Sequence, residues 1–194
     1  MPIGPALGTT ILVLTVLFSG QAQAVKVDTT VNDWEFAFSR SAKSSQAVKS
    51  GQDLMLVNRH IGIPFAWGRT GTFGGINLKW ATGKRLKDFK RGKKLRLVRI
   101  VSRRKGQLRY GDRVAVYIHH RTSDGHYLKY KKRSYGINLV WSKKPRYEFE
   151  LQGGTKGLTI RTQNPVALYN HVERDALIYC ERSIKGKFWV KWAR

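Results

Sequence analysis

Three aromatic–arginine pairs offer the most specific chemistry in this chain: Trp67 with Arg69, Tyr130 with Arg133, and Tyr179 with Arg182. An aromatic face beside a guanidinium suits a sugar ring that carries a carboxylate or sulfate. The ring stacks through its C–H face while the Arg forks hydrogen bonds onto the anion. A strand-end aromatic capped by a solvated Arg is the plainer role for the same residues. A second set recurs in turns, as Asn58-Arg59-His60, His119-His120-Arg121 and Asn170-His171. Asn58, His120 and His171 are its candidate ligand contacts, polar and in part pH-sensitive. His126 follows His119 and His120 in the same hairpin, but turns related by a repeat are separated rather than convergent. No metal site and no other cofactor are therefore expected.

Enzyme signatures are missing. The chain has no Gly-x-Ser-x-Gly, no His-Glu-x-x-His and no phosphate loop of the Walker type, and its single cysteine, Cys180, has no plausible base. Glu148 and Glu150 stand two apart and so share one strand face, which reads as a solvated face rather than an acid–base pair. The expectation is a protein that binds rather than one that catalyses.

Charge points the same way. Lys and Arg number 37 against 12 Asp and Glu, a net charge of +25. Such a field favours polyanions, whether nucleic acid, sulfated or sialylated glycans, lipopolysaccharide or an anionic membrane surface. Solubility alone needs far less. None of this charge lies in the first 24 residues, where an apolar run from Thr10 to Phe18 precedes Ala22-Gln23-Ala24. The run is too short to span a bilayer and reads as a signal peptide cleaved after Ala24, although it lacks the usual basic residue before the apolar stretch. That leaves residues 25–194 as one domain, with no transmembrane segment after cleavage and a secreted or periplasmic location. Cys180 cannot form an internal disulfide, so stability must come from the core.

The candidate residues need strands to hold them. Ile76-Asn77-Leu78-Lys79-Trp80, Ile137-Asn138-Leu139-Val140-Trp141 and Phe188-Trp189-Val190-Lys191-Trp192 alternate and end on Trp. Upstream of each lie two more alternating stretches. Leu54–Asn58, Val114–Ile118 and Val166–Asn170 follow the turn formers Gly51-Gln52-Asp53, Gly111-Asp112-Arg113 and Gln163-Asn164-Pro165. Phe65–Trp67, Tyr127–Tyr130 and Ala176–Tyr179 come next. A further strand opens each unit, at Trp34–Phe38, Leu95–Arg99 and Tyr147–Leu151. This gives three four-stranded repeats over 34–80, 95–141 and 147–192. No useful length has helical periodicity, so Lys84 to Lys94 is expected to be a linker or long loop between the first two units and Ser39 to Ser50 a polar loop.

This all-β plan of three four-stranded repeats resembles the β-trefoil superfamily, in which six strands make a barrel closed by three hairpins with pseudo-threefold symmetry. The Trp-ending strands are its carriers and look like the Gln-x-Trp strand of ricin-type lectin repeats. Here the residue two before each Trp is Leu78, Leu139 or Val190, so ricin-type sugar contacts do not carry over. Trp80, Trp141 and Trp192 are then expected in the core at the pseudo-threefold axis, and the repeated Asn77 and Asn138 in hairpin bonds. The resemblance extends to lectins and heparin-binding proteins. The function expected is an exported basic protein recognising anionic carbohydrate, lipopolysaccharide or a similar polyanion. The alternatives are a toxin or effector accessory subunit, or an inhibitor, with a protein partner. A nucleic-acid-binding protein is the third, which export argues against.

Overall fold

The alternating apolar pattern yields twelve strands. They are β1 (Trp34–Ala37), β2 (Asp53–Asn58), β3 (Ile63–Thr70), β4 (Ile76–Trp80), β5 (Val98–Ser102), β6 (Arg113–Ile118), β7 (Tyr127–Tyr130), β8 (Leu139–Ser142), β9 (Phe149–Gln152), β10 (Pro165–Asn170), β11 (Asp175–Arg182) and β12 (Lys187–Trp192). The structure is a computed structural model that describes residues 34–37, 45–59, 61–70, 76–120, 125–133, 137–182 and 187–193. Six strands close an antiparallel barrel in the order β1, β2, β5, β6, β9, β10, with β10 returning to β1. The other six form the hairpins β3–β4, β7–β8 and β11–β12. Each hairpin is attached through pairing to the barrel strand before it. The all-β expectation holds at this level.

Register brings apolar residues together inside. Trp34, Val98 and Phe149 stand opposite Asn58, Ile118 and Asn170, and Phe36, Ile100 and Leu151 opposite Leu56, Val116 and Leu168. All twelve are buried. Trp34 also reaches out of the barrel. Its indole stacks on Trp80 at 5.4 Å, meets Phe65 edge-on at 5.8 Å, and donates its Nε1–H to the Leu177 carbonyl at 2.7 Å. One side chain thus ties the barrel to two hairpins. Trp192 donates its Nε1–H to the Ile137 carbonyl at 2.9 Å, which joins the third.

The opposite end is closed by the connections β1–β2, β5–β6 and β9–β10. Val48 N–H donates to Ile160 O at 3.0 Å, Ile160 N–H to Leu108 O at 2.8 Å, and Leu108 N–H to Val48 O at 2.8 Å. This ring of three bonds carries three fully buried side chains across the barrel mouth. Each connection then turns the same way into its strand. Lys49, Arg109 and Arg161 donate their backbone N–H to side-chain oxygens of Gln52 (3.2 Å), Asp112 (2.9 Å) and Asn164 (2.8 Å). Gly51, Gly111 and Gln163 take left-handed φ angles of 77°, 86° and 71° in these turns, which glycine adopts without steric cost and Gln163 does not.

Three expectations need correction. Lys84 to Lys94 is not a linker throughout, because Gly83–Lys90 forms a helix, α1. Leu86 and Phe89 lie three apart, on one side, and Phe89 is buried. Gly92, at φ 77°, ends the helix: its N–H bonds Phe89 O while Lys93 N–H bonds Asp88 O. The opening strands of the second and third units begin at Val98 and Phe149, not at Leu95 and Tyr147. Leu95 to Ile100 can be read in two phases, and pairing with β6 selects the one that faces Val98 and Ile100 inward.

The resemblance to the β-trefoil superfamily is also withdrawn. Its carriers, the Trp-ending strands, are the outer strands of hairpins rather than barrel strands. Helix α1 also interrupts the connection between β4 and β5, where the plan has none. Nor do the three Trp residues share one core position: Trp80 and Trp192 are buried, whereas Trp141 is half-buried against His120 at 4.0 Å. What the structure shows is a closed six-stranded barrel with six additional strands. Residues 1–24 lie outside the described residues.

The ring across the barrel mouth makes a stability prediction. Ile160→Ala should cost about 3 to 4 kcal/mol in urea unfolding, since it empties a fully enclosed site. Leu158→Ala, two residues away and 59% exposed, should cost less than about 0.5 kcal/mol.

Candidate functional site

Of the three aromatic–arginine pairs, the hairpins place Trp67 and Tyr130 in matching register, opposite Leu78 and Leu139, and Tyr179 falls opposite Val190 on the same plan. Their surroundings differ. Trp67 is half-buried, its ring 5.2 Å from His120. Tyr130 lies 6.4 Å from Trp192, and its phenol is hydrogen-bonded to Glu173, which pushes its pKa up. Arg133 is half-buried, with its backbone N–H held by Asn138 Oδ1 at 2.9 Å. Asn138, at φ 54°, shapes the β7–β8 turn in this way. The side chains of Arg69, Asn77, Tyr179, Cys180 and Arg182 lie outside those described, as do His60 and Arg121.

The turn set divides as well. Asn58 and Asn170 are fully buried and cap their turns: Asn58 Oδ1 accepts from Ile61 N–H at 3.0 Å, and Asn170 Oδ1 from Val172 N–H at 2.9 Å and Glu173 N–H at 3.0 Å. His171 Nε2 meets Glu150 Oε2 at 2.7 Å. His120 packs among Trp67, Trp141 and His126, the last at 4.5 Å. Ring faces used on one another in this way brace the junction of the β3–β4 and β7–β8 hairpins. Among the described residues, no group of three or more His, Cys, Asp or Glu is placed to hold a metal ion.

Next to this junction lies a cluster that the sequence reading missed. β2–β5 pairing sets Asp53 opposite Arg99, and β5–β6 pairing sets Arg99 opposite Tyr117. Arg99 donates through Nε to Asp53, with a second contact from its terminal nitrogen at 3.4 Å. His119 Nε2 meets the same carboxylate at 2.8 Å, and Arg96 approaches it at 3.8 Å. Arg99 also sits 5.3 Å above the Tyr117 ring, which stacks on His126 at 4.9 Å. The bond from Arg99 holds the Asp53 carboxyl below its usual range; burial opposes this and His119 reinforces it. Arg99 is raised in turn by Asp53. A carboxylate held ionised by a guanidinium is a poor base, so this cluster clamps three barrel strands together rather than moving protons.

A related arrangement recurs around the barrel. Glu150 occupies the register position of Arg99, with Tyr169 and His171 in the places of Tyr117 and His119. In both copies the Tyr and His rings meet edge-to-face, at 5.0 and 5.2 Å. The third copy holds Glu35, across from Val57. Burial pushes its pKa up and Arg59 partly offsets the rise. Acid and base have exchanged places between copies, so what recurs is an acidic side chain beside a basic one and not one catalytic residue.

No family model, curated protein or solved structure matches the chain. The chemistry must therefore come from the molecule's own surface, and there the charges are sharply sorted. None of the eight acidic side chains described is exposed, whereas 23 Lys and Arg side chains are. The acids are drawn inward: Asp112 and Glu148 accept from the backbone N–H groups of Arg109 and Tyr130, Asp53 accepts from Arg99, and Glu150 meets His171.

The Asp53 clamp has a pH signature. Because its folded-state pKa is depressed, its stabilisation is complete above the usual carboxylate value of 3.8 and disappears as pH falls through the lower folded value. Asp53→Asn should lower stability by about 1 kcal/mol at neutral pH, a magnitude suited to a partly solvated pair. The variant and the parent should converge as pH falls below the folded-state value, which urea unfolding across the acid range would reveal.

Proposed function

We propose that this is an exported binding protein for anionic polymers, with acidic carbohydrate as its ligand class, acting in a secreted or periplasmic setting. The observation that carries the proposal is the one-signed surface: 23 exposed cations and, among the described residues, no exposed acid. A surface of mixed charges pairs much of its basic character internally. Here the acids are held in turns, in strand clamps and, on α1, against Lys93, which leaves most of the cations facing solvent to attract a polyanion over a Debye length. The short apolar leader supports export, and export favours glycans over nucleic acid as the anion encountered.

Binding should be measured by calorimetry against a sulfated glycan, its desulfated form and duplex DNA of equal length, at two ionic strengths. The expected result is binding to the sulfated glycan only among the sugars, weakening about tenfold or more from ~50 to ~200 mM salt, as counterion release requires. Equal affinity for the desulfated form would overturn the anionic reading. Tighter binding to DNA than to the sulfated glycan at both salts would transfer the function to nucleic acid.

A further inference from the structure

The bonded ring at the barrel mouth has an outer face, and its residues repeat. In each segment the middle residue, Val48, Leu108 or Ile160, points into the barrel, so the flanking residues point out. Backbone bridges pair Ala47 with Arg161, Lys49 with Gln107, and Arg109 with Thr159. Three cations, Lys49, Arg109 and Arg161, thereby alternate with three uncharged residues around a closed circuit. All three cationic side chains are exposed.

Two further features set this circuit apart from ordinary basic surface. First, the oxygens nearest in sequence are occupied: Gln52, Asp112 and Asn164 bind the backbone N–H groups of these same three residues. Among the described residues no carboxylate forms a salt bridge with any of the three cations, and the Arg161 guanidinium donates only to Ser45, at 3.2 Å to Oγ and 2.7 Å to its carbonyl. Second, the circuit is rigid. The backbone bonds that carry it also close the barrel, so the Cα positions of the three cations are fixed, and a ligand gains from that preorganisation of the backbone.

We propose that this circuit is a binding site for a sulfated polysaccharide, whose anionic groups meet Lys49, Arg109 and Arg161 while its hydroxyls meet Gln107 and Thr159. Thr159 Oγ1 donates to Gln107 Oε1 at 3.1 Å, so the two polar residues that flank Arg109 in the circuit are already bridged. The adjoining aromatic side chain, Tyr110, is buried, and its hydroxyl donates to Pro165 O at 2.8 Å. It offers no ring face for a nucleobase, which is why a glycan is favoured over single-stranded nucleic acid. The inference rests on the polyanion reading above and assigns that reading a place.

The test compares two variants of equal net charge. One carries Lys49→Ser, Arg109→Ser and Arg161→Ser; the other removes three exposed cations from α1, as Lys84→Ser, Lys87→Ser and Lys90→Ser. Affinity for a size-defined sulfated glucosamine–uronate oligosaccharide should fall about tenfold or more in the first and less than about threefold in the second, since fixed charge-assisted contacts outweigh diffuse attraction. Equal losses in the two variants would overturn the site while leaving polyanion binding standing. Absence of binding by the unaltered protein would overturn both. Acetylation footprinting of the unaltered protein avoids any dependence on variant folding. Bound oligosaccharide should protect Lys49 and leave Lys84 and Lys87 reactive, and the reverse pattern would refute the site. Protection of Lys49 by duplex DNA at lower concentration than by the oligosaccharide would refute the choice of glycan.

Discussion

The three backbone bonds linking Val48, Leu108 and Ile160 are the constraint on which the rest of the molecule depends. A six-stranded barrel joined by long connections has to cover its own mouth, and buried peptide groups there must find partners. A closed cycle of donors and acceptors does this with one residue from each connection. It fixes the phase of the flanking residues, so one side of each segment seals the core and the other faces solvent. The turns that follow are fixed in consequence. Each must bring the chain back into a barrel strand within four residues, which calls for a left-handed residue and a side-chain oxygen at neighbouring positions. The hairpins at the other end depend less on backbone and more on indoles, with Trp34 and Trp192 supplying the ties.

A chain with so many cations also has to prevent its own charge from opening the fold. Few acids are present, and some of them sit beside basic side chains at the strand seams. Asp53 faces Arg99 across the β2–β5 seam and lies close to Arg96, so one carboxylate offsets two cations on the same side of that seam while also meeting His119. Glu150 serves His171 at the related position. An acid on the open surface would neutralise only one flexible, screened neighbour, whereas one at a strand seam gains hydrogen bonds as well. The same economy produces the exposed cationic surface: stabilising the inside with acids removes them from the outside.

Much of this was legible in the residues. Twelve strands follow from period-two patterning, and the hairpin alignment that equates Trp67 with Tyr130 holds in the register. What failed was phase and connection. Leu95 to Ile100 alternates equally well in two ways, and only the partner strand, Val114 to Ile118, distinguishes them. Helix α1 spans little more than two turns, too short for periodicity to stand out, and its clearest signal was Gly92 as a helix stop rather than any apolar stripe. The superfamily resemblance depended on three Trp-ending strands, yet their shared pattern reflects the demands of an outer hairpin strand. Local sequence specifies such a strand without specifying the family around it.

The candidate site was harder to see for a related reason. Aromatic–arginine pairs stand out in a sequence because the partners are adjacent, but adjacency is not what concentrates charge in a barrel. Asp53, Arg99 and His119 are separated by dozens of residues and meet only through two strand registers. Lys49, Arg109 and Arg161 look unremarkable in sequence, each one cation among many. They become a set only when the closing bonds place their segments around one mouth. Turn formers after each of them were visible from the start, and they were the trace of this geometry. A residue directly before a repeated turn inherits a repeated position, so in a barrel built from recurring connections the charge at that place is shared by the whole assembly and not by one loop.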